Sequence, residues 1–303
     1  MLLRSNLLVF AQGRILYSLR PLVTIVTPCY NAQTSIQRCV ESVLAQSYPR
    51  WEMILVSDDH HDYLTQLKRA GINDPRIRQY QSPTVKTGPN APRNIALANA
   101  KGDYFAPLDA DDFYYPKRLE LLLPAVRAFG IAADNTLVVD ELTDKLLYVP
   151  FPQGEQWQRI SLGQFLKLST PIGLVFRRDF ITYGWNEGVE LGEDTLVNLR
   201  AIARLGYLPF YNQGLHEYRI HDNSICHHSD AAQKAERAYT YTLQALADPN
   251  DGMGFNPSVI KDAISATIRA KQSLNNRYSE LCNNGYTGSF QDFIAQRSTQ
   301  GYD

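Results

Sequence analysis

The stretch that decides the fold is VTIVTPCYNAQTSIQRCVESVLAQSYPRWEMILVSDD, residues 23–59. A β-branched run over residues 22–27 stops at Pro28, which is typical of a buried strand that ends at a turn. Apolar residues then recur at helical spacing over residues 34–46, and residues 51–56 form a second apolar run. Strand, helix and strand in this order make a βαβ unit, and such units build parallel sheets.

The same alternation continues along the chain and predicts an α/β fold with a mostly parallel, Rossmann-like central sheet flanked by helices. The pattern predicts helices at residues 63–70, 92–100, 117–129 and 194–205, and strands at residues 77–80, 104–108, 136–139, 170–177 and 208–211. Beyond Asp230 the composition changes. Two segments, at residues 231–247 and 257–282, are rich in Ala, Gln, Lys and Arg, and the helix-breaking sequence DPNDG separates them. These two segments predict a C-terminal helical appendage.

Polar side chains follow three of the predicted strands. The segments are PCYN at residues 28–31, DDHHD at residues 58–62 and DADD at residues 109–112. In doubly wound sheets, ligands bind beyond the carboxyl ends of the strands. The three segments are therefore expected to meet on one rim of the sheet and to form a binding site there.

The DADD segment carries the sharpest chemical signal. Its carboxylates lie one residue apart at the end of a buried strand, and hard cations such as Mg²⁺ or Mn²⁺ prefer oxygen ligands and leave positions open for substrate phosphates. Such a cation stabilises a departing nucleoside diphosphate. An isolated DxDD is more often a solvated acidic turn, and the buried strand before it is what favours the metal interpretation.

A second acidic segment, SDDHHDY at residues 57–63, contains five carboxylate or imidazole side chains and raises the question of a transition-metal site. Its position at the end of the second strand favours a nucleotide contact instead. Cys226, His227 and His228 also suggest a metal site, but a zinc site needs a fourth ligand that the sequence does not offer.

The bulk properties restrict the class of protein. With 303 residues, 44% hydrophobic and 20% charged, the chain has the composition of an ordinary globular protein. Its formal net charge of -1 gives no electrostatic footprint for nucleic acid, so no nucleic-acid partner is expected. The 4 cysteines lack any CxxC spacing, which argues against a zinc ribbon or a disulfide framework and favours a reducing cytoplasm.

The N-terminal extension, residues 1–20, is apolar but is interrupted by Arg4, Gln12, Gly13 and Arg14. It falls short of the roughly 20 apolar residues needed to span a bilayer. We interpret it as a surface helix, with peripheral association at the inner face of the membrane as the alternative to a purely cytoplasmic location.

Seven segments together resemble the glycosyltransferase family 2 enzymes of GT-A fold, in the family's order and over roughly residues 20–225. They are VTIVTPCYN at 23–31, VLAQSYP at 43–49, WEMILVSDD at 51–59, APRNIA at 91–96, LDADD at 108–112, GED at 192–194 and YRIH at 218–221. The resemblance implies an inverting transferase that uses a nucleotide-sugar donor, with UDP favoured, and Mn²⁺ or Mg²⁺ as cofactor. The implied acceptor is a glycan or glycoconjugate in polysaccharide biosynthesis.

The resemblance also implies a domain plan. Residues 21–228 would form the GT-A domain, with the nucleotide-sugar side at 21–115 and the acceptor side at 116–228, and residues 229–303 would form the C-terminal helical region. Oligomeric state is left open by the sequence.

Family roles can be carried over to matching positions in this sequence. Pro28 and Tyr30 would line the nucleotide base, and Asp59 would contact it. Arg93 would lie near the nucleotide or diphosphate. Asp109 would meet the ribose or a metal-bound water, and Asp111 would bind the metal directly, which leaves Asp112 as a spare carboxylate.

Two further positions complete the expected site. Asp194 opens a predicted helix, where the helix dipole favours the ionised carboxylate, and this suits a general base that deprotonates the acceptor hydroxyl. The plainer alternative is an acidic first turn that stabilises its own helix. His221 would be a metal ligand or a diphosphate contact, although a lone histidine is as often structural or solvated.

The sequence departs from the family pattern at two places that concern the site. His60 and His61 stand where a Gly-Ser pair is usual, so the turn loses an easy positive-φ position and must change shape or strain a residue. Trp185 lies in an unusual segment before GED, and we favour a core aromatic over a sugar-stacking platform.

Two other functions fit less well. A catalytically inactive binding module is disfavoured because the DxD carboxylates and Asp194 are all present. A nucleotidyltransferase is disfavoured because PCYN lacks the glycines of a phosphate-binding loop.

Overall fold

The computed structural model describes residues 20–168, 170–187, 194–220, 231–247 and 258–287, together with Phe293. Three sequence-based predictions lie outside these residues. They are the N-terminal surface helix, the role of His221, and the argument against a zinc site at Cys226, His227 and His228.

Ten strands and eight α-helices make up the described part of the chain. The strands are β1 (Val23–Cys29), β2 (Trp51–Ser57), β3 (Ile77–Gln81), β4 (Tyr104–Pro107), β5 (Phe113–Tyr114), β6 (Ile131–Asp140), β7 (Leu146–Tyr148), β8 (Trp157–Ile160), β9 (Leu174–Arg177) and β10 (Leu208–Ile220). The helices are α1 (Ile36–Leu44), α2 (Tyr63–Arg69), α3 (Asn90–Asn99), α4 (Arg118–Phe129), α5 (Leu162–Leu166), α6 (Asp194–Leu205), α7 (Ala231–Ala247) and α8 (Ser258–Asn283).

The strands form one sheet in which eight follow the order β3-β2-β1-β4-β9-β6-β10-β5, while β7 pairs with β6 and β8 pairs with β10. Strands β3, β2, β1 and β4 pair in parallel, so the βαβ units predicted from the first 110 residues are confirmed. Because β2 and β4 flank β1 on opposite sides, the chain reverses its winding at β1. Ligands bind at such switch points in doubly wound sheets.

The second half of the sheet is mixed, which the sequence pattern did not predict. Strand β9 runs antiparallel to both β4 and β6, whereas β10 runs parallel to β6. Strand β10 extends to Ile220, nine residues beyond the predicted end, so most of the YRIH segment is strand. Strand β9 begins at Leu174 and not at residue 170, and the short elements β5, β7, β8 and α5 were not predicted.

Alternate strand residues point to opposite faces of the sheet and build two apolar layers. Ile25 and Met53 belong to the layer that α1 and α4 cover, whereas Val26 and Ile54 belong to the layer that contains residues of α3 and α6. A third apolar cluster joins α5 and α6 to α7 and α8. Among the described residues, no helix is long and apolar enough to cross a membrane.

Candidate active site

The carboxyl ends of β1, β2 and β4 meet at one rim, as the sequence predicts. Cys29 of β1 is paired with Ser57 of β2, and Val26 of β1 is paired with Pro107 of β4. Two backbone hydrogen bonds continue this pairing past the strand ends, since the Asp58 amide donates to the Cys29 carbonyl at 2.7 Å and the Leu108 amide to the Val26 carbonyl at 3.0 Å. The PCYN, DDHHD and DADD segments are therefore neighbours.

Asp59 binds the β1 and β2 turns to each other. Its Oδ2 accepts hydrogen bonds from the Asn31 amide at 2.9 Å, the Gln33 side chain at 3.1 Å and the Tyr63 hydroxyl at 2.7 Å. Its Oδ1 accepts from the Ser57 hydroxyl at 2.9 Å and the His61 amide at 3.1 Å. Partial burial alone would raise the pKa of this carboxyl, but the hydrogen bonds outweigh it and hold the pKa below its usual range.

The two histidines that replace the usual Gly-Ser pair shape this turn. His60 has a φ of 60°, so a histidine occupies the left-handed position that glycine takes without strain, as expected from the sequence. Its Nε2 lies 3.1 Å from the Ser82 carbonyl oxygen, and the Nε2 of His61 lies 2.9 Å from the Gln66 side-chain oxygen. Both imidazoles are thus engaged by neighbouring protein groups.

Pro28 and Tyr30 lie at the end of β1, where the sequence analysis expects a nucleotide base. Pro28 is half-buried in the strand, and Tyr30 is 45% exposed. An exposed aromatic ring at the carboxyl end of the central strand offers a flat apolar surface for a base.

The DADD carboxylates after β4 have different surroundings. The side chain of Asp109 is 41% exposed, and its Oδ1 accepts a hydrogen bond from Arg93 at 2.7 Å. Asp111 is half-buried, and its backbone carbonyl accepts from Arg38 at 2.8 Å. These two acids remain at the rim and can reach a shared ligand.

The third carboxylate, Asp112, turns into the protein. It accepts a hydrogen bond from the Arg219 backbone amide at 3.0 Å, and its Oδ2 lies 3.0 Å from His216 Nε2. Burial, together with the neighbouring Asp109 and Asp111, raises the pKa of Asp112. The carboxylate that the sequence analysis left without a role thus has a structural one, because both of its oxygens anchor the DADD turn to β10.

Arg93 of α3 connects the two halves of the candidate site. Its guanidinium, only 2% exposed, donates to Asp109 at 2.7 Å and lies 3.5 Å from Asp194 Oδ1. The Trp185 indole N–H donates to the same Asp194 oxygen at 2.7 Å. Trp185 itself is 3% exposed, so the expectation of a core aromatic is confirmed, and a stacking platform for sugar is excluded.

Asn94 holds the backbone of Trp185 in place, a role that the sequence analysis missed. Its side chain donates to the Trp185 carbonyl and accepts from the Trp185 amide, each at 2.8 Å. A side chain at Gly184 would approach Asn94 Oδ1 to 2.5 Å, and Gly184 has a φ of 62°. The position of Asn94 directly after Arg93 in the APRNIA motif was the available signal, but its partner could not be identified without the fold.

Two buried cysteines lie behind the rim. Cys29 and Cys39 are both fully buried, and their thiols are not in a disulfide. Burial raises the pKa of each thiol well above its usual range, and the nearby carboxylates, among them Asp109 and Asp111, add to the shift. Neither of these two thiols is therefore a reactive thiolate at neutral pH.

The rim has the donor chemistry of a hard-cation site. Among the described residues, no three His, Cys, Asp or Glu side chains are placed so that they could hold a metal ion together, whereas Asp109 and Asp111 provide two partly exposed carboxylates at the rim. Mg²⁺ is characteristically bound by one or two carboxylates together with substrate phosphates and water. The residues present thus fit a cation that is completed by its substrate.

Sequence comparison assigns this α/β protein with an acidic rim to a family of enzymes. The family model for Glycosyl transferase family 2 matches residues 24–174. A putative teichuronic acid biosynthesis glycosyltransferase, TuaG of Bacillus subtilis, is 31% identical over 219 residues, which cover 68% of this chain and 82% of TuaG. The chain belongs to glycosyltransferase family 2, and it is a glycosyltransferase.

Solved structures show the same fold. TarS residues 1–349 of S. aureus in complex with UDP-GlcNAc superimposes with a TM-score of 0.62 at 17% identity, covering 82% of this chain and 72% of TarS. The mannosyltransferase PcManGT of Pyrobaculum calidifontis, in complex with GDP-Man and Mn²⁺, has a TM-score of 0.56 at 16% identity and covers 94% of this chain and 81% of its own. The expected GT-A fold is thereby confirmed.

Proposed function

We propose that this glycosyltransferase transfers a sugar, with inversion, from a UDP-sugar to a hydroxyl of a glycan or glycoconjugate acceptor in polysaccharide biosynthesis. The observation that carries the proposal is the Arg93 bridge, which holds a donor-side carboxylate and an acceptor-side carboxylate on one guanidinium. Support for UDP and for a surface polysaccharide comes from the UDP-GlcNAc complex of TarS and from the name of TuaG. The GDP-Man complex of PcManGT makes GDP the alternative nucleotide.

On the donor side, the base would lie against Pro28 and Tyr30. Contact between the base and Asp59 has a structural cost, because a carboxylate has about four acceptor positions and Asp59 already accepts five hydrogen bonds. Of these donors, Gln33 is an exposed side chain and can leave without disturbing the backbone. We propose that the base N–H takes the place of Gln33 on Asp59.

Asp111 would hold Mn²⁺ or Mg²⁺, and Asp109 would contact the ribose or a water on the metal. A cation bound there supplies positive charge next to the departing diphosphate. The described residues do not include His221, which stays a predicted ligand. Arg93 adds a positive charge beside Asp109, and its buried position reduces the screening of that charge by solvent.

On the acceptor side, Asp194 would accept the proton of the acceptor hydroxyl. The oxygen of that hydroxyl forms the new bond to the anomeric carbon, and the bond to the diphosphate breaks on the opposite face, with its electron pair leaving on the diphosphate. Arg93 and Trp185 both direct a hydrogen-bond donor at Asp194 Oδ1, so this oxygen is held in place and Oδ2 would be the atom that takes the proton.

The test compares two isosteric variants. Asp111→Asn should lose the Mn²⁺-dependent part of donor binding, whereas Asp194→Asn should bind donor normally and lose transfer by a factor of about 10²–10⁴, the usual contribution of a general base. Calorimetry with UDP-sugars, with and without Mn²⁺, measures the first effect, and product formation measures the second. Asp262→Asn, on the exposed surface of α8, is the matched control.

A panel of UDP-, GDP- and dTDP-sugars decides the nucleotide. Transfer that survives in Asp194→Asn would refute the assignment of the base. Donor binding without any transfer by the unmodified protein would favour the catalytically inactive module.

A further inference from the structure

A double irregularity interrupts strand β10 where it pairs with β6. Tyr211, Gly214 and His216 lie opposite the consecutive residues Asp134, Asn135 and Thr136 of β6. Three residues of β10, namely Asn212, Gln213 and Leu215, therefore have no partner across the ladder. β-bulges of this kind concentrate next to functional sites, because they redirect side chains and open the sheet.

Buried polar contacts hold the bulge in shape. The Leu215 amide donates to Asp134 Oδ2 at 2.9 Å, and Asp134 Oδ1 accepts from Arg118 at 2.8 Å, with both of these side chains 0% exposed. The Gly214 amide donates to the side-chain oxygen of Gln153 at 2.8 Å. The Leu215 amide is thus held by a buried carboxylate that Arg118 in turn keeps in position.

A surface cavity of about 470 Å³, wide open to solvent, lies beside the bulge. Its wall consists of the side chains of Tyr115, Leu137, Gln153, Glu155 and Gln213 and the backbone at residues 214–215. This volume lies within the range of ~300–1,000 Å³ that is usual for small-molecule sites, and an apolar wall with a few convergent polar groups is their usual composition.

The chemistry of the wall selects a class of ligand. An aromatic ring, two amides and one carboxylate match the apolar faces and the hydroxyl groups of a sugar ring. No lysine or arginine is among the lining residues, so phosphates and uronic acids lack the cationic partner that recognition of an anion requires. A neutral sugar fits, and a nucleotide diphosphate does not.

A chain of hydrogen bonds connects this cavity to the candidate active site. The Tyr115 hydroxyl donates to Glu217 at 2.7 Å, Glu217 accepts from Arg219 at 2.7 Å, and the Arg219 amide donates to Asp112 at 3.0 Å. The wall of the cavity and the DADD turn are therefore connected by hydrogen bonds through β10.

We propose that the cavity at the β10 bulge binds a neutral sugar unit. The assignment of this sugar to the acceptor glycan rests on the proposed function. The existence of the sugar site does not depend on that function. The site is separate from the donor rim, so a sugar can bind to it while the nucleotide site is occupied.

Saturation-transfer NMR tests the site with glucose, galactose, mannose, N-acetylglucosamine and N-acetylgalactosamine, each added to protein saturated with the nucleotide that the donor screen selects. At least one of these sugars should receive saturation, and glucuronate should receive none. Gln213→Ala and Glu155→Gln should each weaken the interaction about fivefold, the effect of losing one ordinary hydrogen bond. Gln37→Ala, on the exposed face of α1, should have no effect.

Two results would overturn the proposal: no saturation of any neutral sugar by folded, nucleotide-binding protein, or saturation that is equal in both cavity variants and the unmodified chain. Glu155 is exposed, so Glu155→Gln gives a folded variant even if Gln213→Ala does not. Sugar binding without transferase activity would support the sugar site and refute the proposed function. Transferase activity without sugar binding would refute the sugar site and support the proposed function.

Discussion

Four aspartates near the rim have different roles because their neighbours differ. Asp59 accepts five hydrogen bonds and joins two turns, and Asp112 is buried and fixes a loop to β10. Asp109 and Asp194 share the guanidinium of Arg93 and remain partly exposed to a ligand. Residue type alone therefore does not determine which aspartate is available to a ligand and which one stabilises the fold.

Trp185 is predicted to position Asp194. Trp185→Phe removes the indole N–H that donates to Asp194 at 2.7 Å but keeps most of the apolar volume. We expect kcat for transfer to fall about tenfold, since a hydrogen bond to a charged group is worth about 1.5–3 kcal/mol. Donor affinity, measured by calorimetry, should be unchanged because Trp185 contacts the acceptor side of the Arg93 bridge.

Trp51→Phe is the matched control for this change. Trp51 is also buried, at 2% exposure, but lies at the start of β2 at the opposite end of the strand from the rim. If both variants lose kcat equally, or if Trp185→Phe weakens donor binding as strongly as transfer, the positioning role is refuted.

At the scale of elements, much of the first half of the sheet was predictable and much of the second half was not. Strands β1 and β2 are continuous apolar runs, and α1 lies between them, so the local pattern contains the information for their pairing. Strand β9 is short, and its partners β4 and β6 come from distant parts of the chain. Such pairings depend on packing of the whole domain, and so a local pattern cannot predict them.

The candidate site divides in the same way. The rim itself was predictable, because parallel strands bring their carboxyl ends together. The inward turn of Asp112 and the contact of Trp185 with Asp194 were not, because each joins residues whose proximity is created by the fold.

The link between the β1 and β2 turns should make stability depend on pH. Asp59→Asn should lower the free energy of unfolding by about 1–3 kcal/mol at pH 7, because an amide replaces the ionised acceptor of five hydrogen bonds. The pKa of Asp59 is lowered in the folded state, so its contribution is present above the ordinary Asp pKa of about 3.9 and is lost as the pH falls through the folded value.

Urea unfolding of both proteins between neutral and acidic pH measures this difference. The gap between variant and unmodified protein should close in acid. A difference in the free energy of unfolding that stays constant with pH would mean that ionisation of Asp59 does not contribute to stability. Asp262→Asn is the control, and it should unfold like the unmodified protein at every pH.

At the scale of the whole molecule, the C-terminal helices pack against α5 and α6. Leu196 and Leu199 of α6 pack in one cluster with Leu246 of α7 and with Ile264 and Ile268 of α8. Because α6 begins with Asp194, this packing fixes the helix that carries the proposed base. The boundary at residues 228/229 stays a prediction, and we propose that the two regions depend on each other for stability.

Ile268→Ala tests this dependence. The residue is 2% exposed, so its truncation should lower the free energy of unfolding by about 2–4 kcal/mol and reduce transfer more than donor binding. Leu281→Ala, at 38% exposure on the same helix, should have much smaller effects in urea unfolding and in both assays. If donor binding fell as much as transfer, the C-terminal helices would support the whole domain and not the acceptor side alone.

The two buried thiols behind the rim have a practical consequence. Because Cys29 and Cys39 are inaccessible and protonated in the folded protein, alkylation of either one requires the region around β1 and α1 to open. Their rate of modification, followed by mass spectrometry of the peptides, reports how often the region around β1 and α1 unfolds locally. A bound nucleotide-sugar that contacts the end of β1 would slow this rate, so cysteine labelling can identify the donor without any assay of sugar transfer.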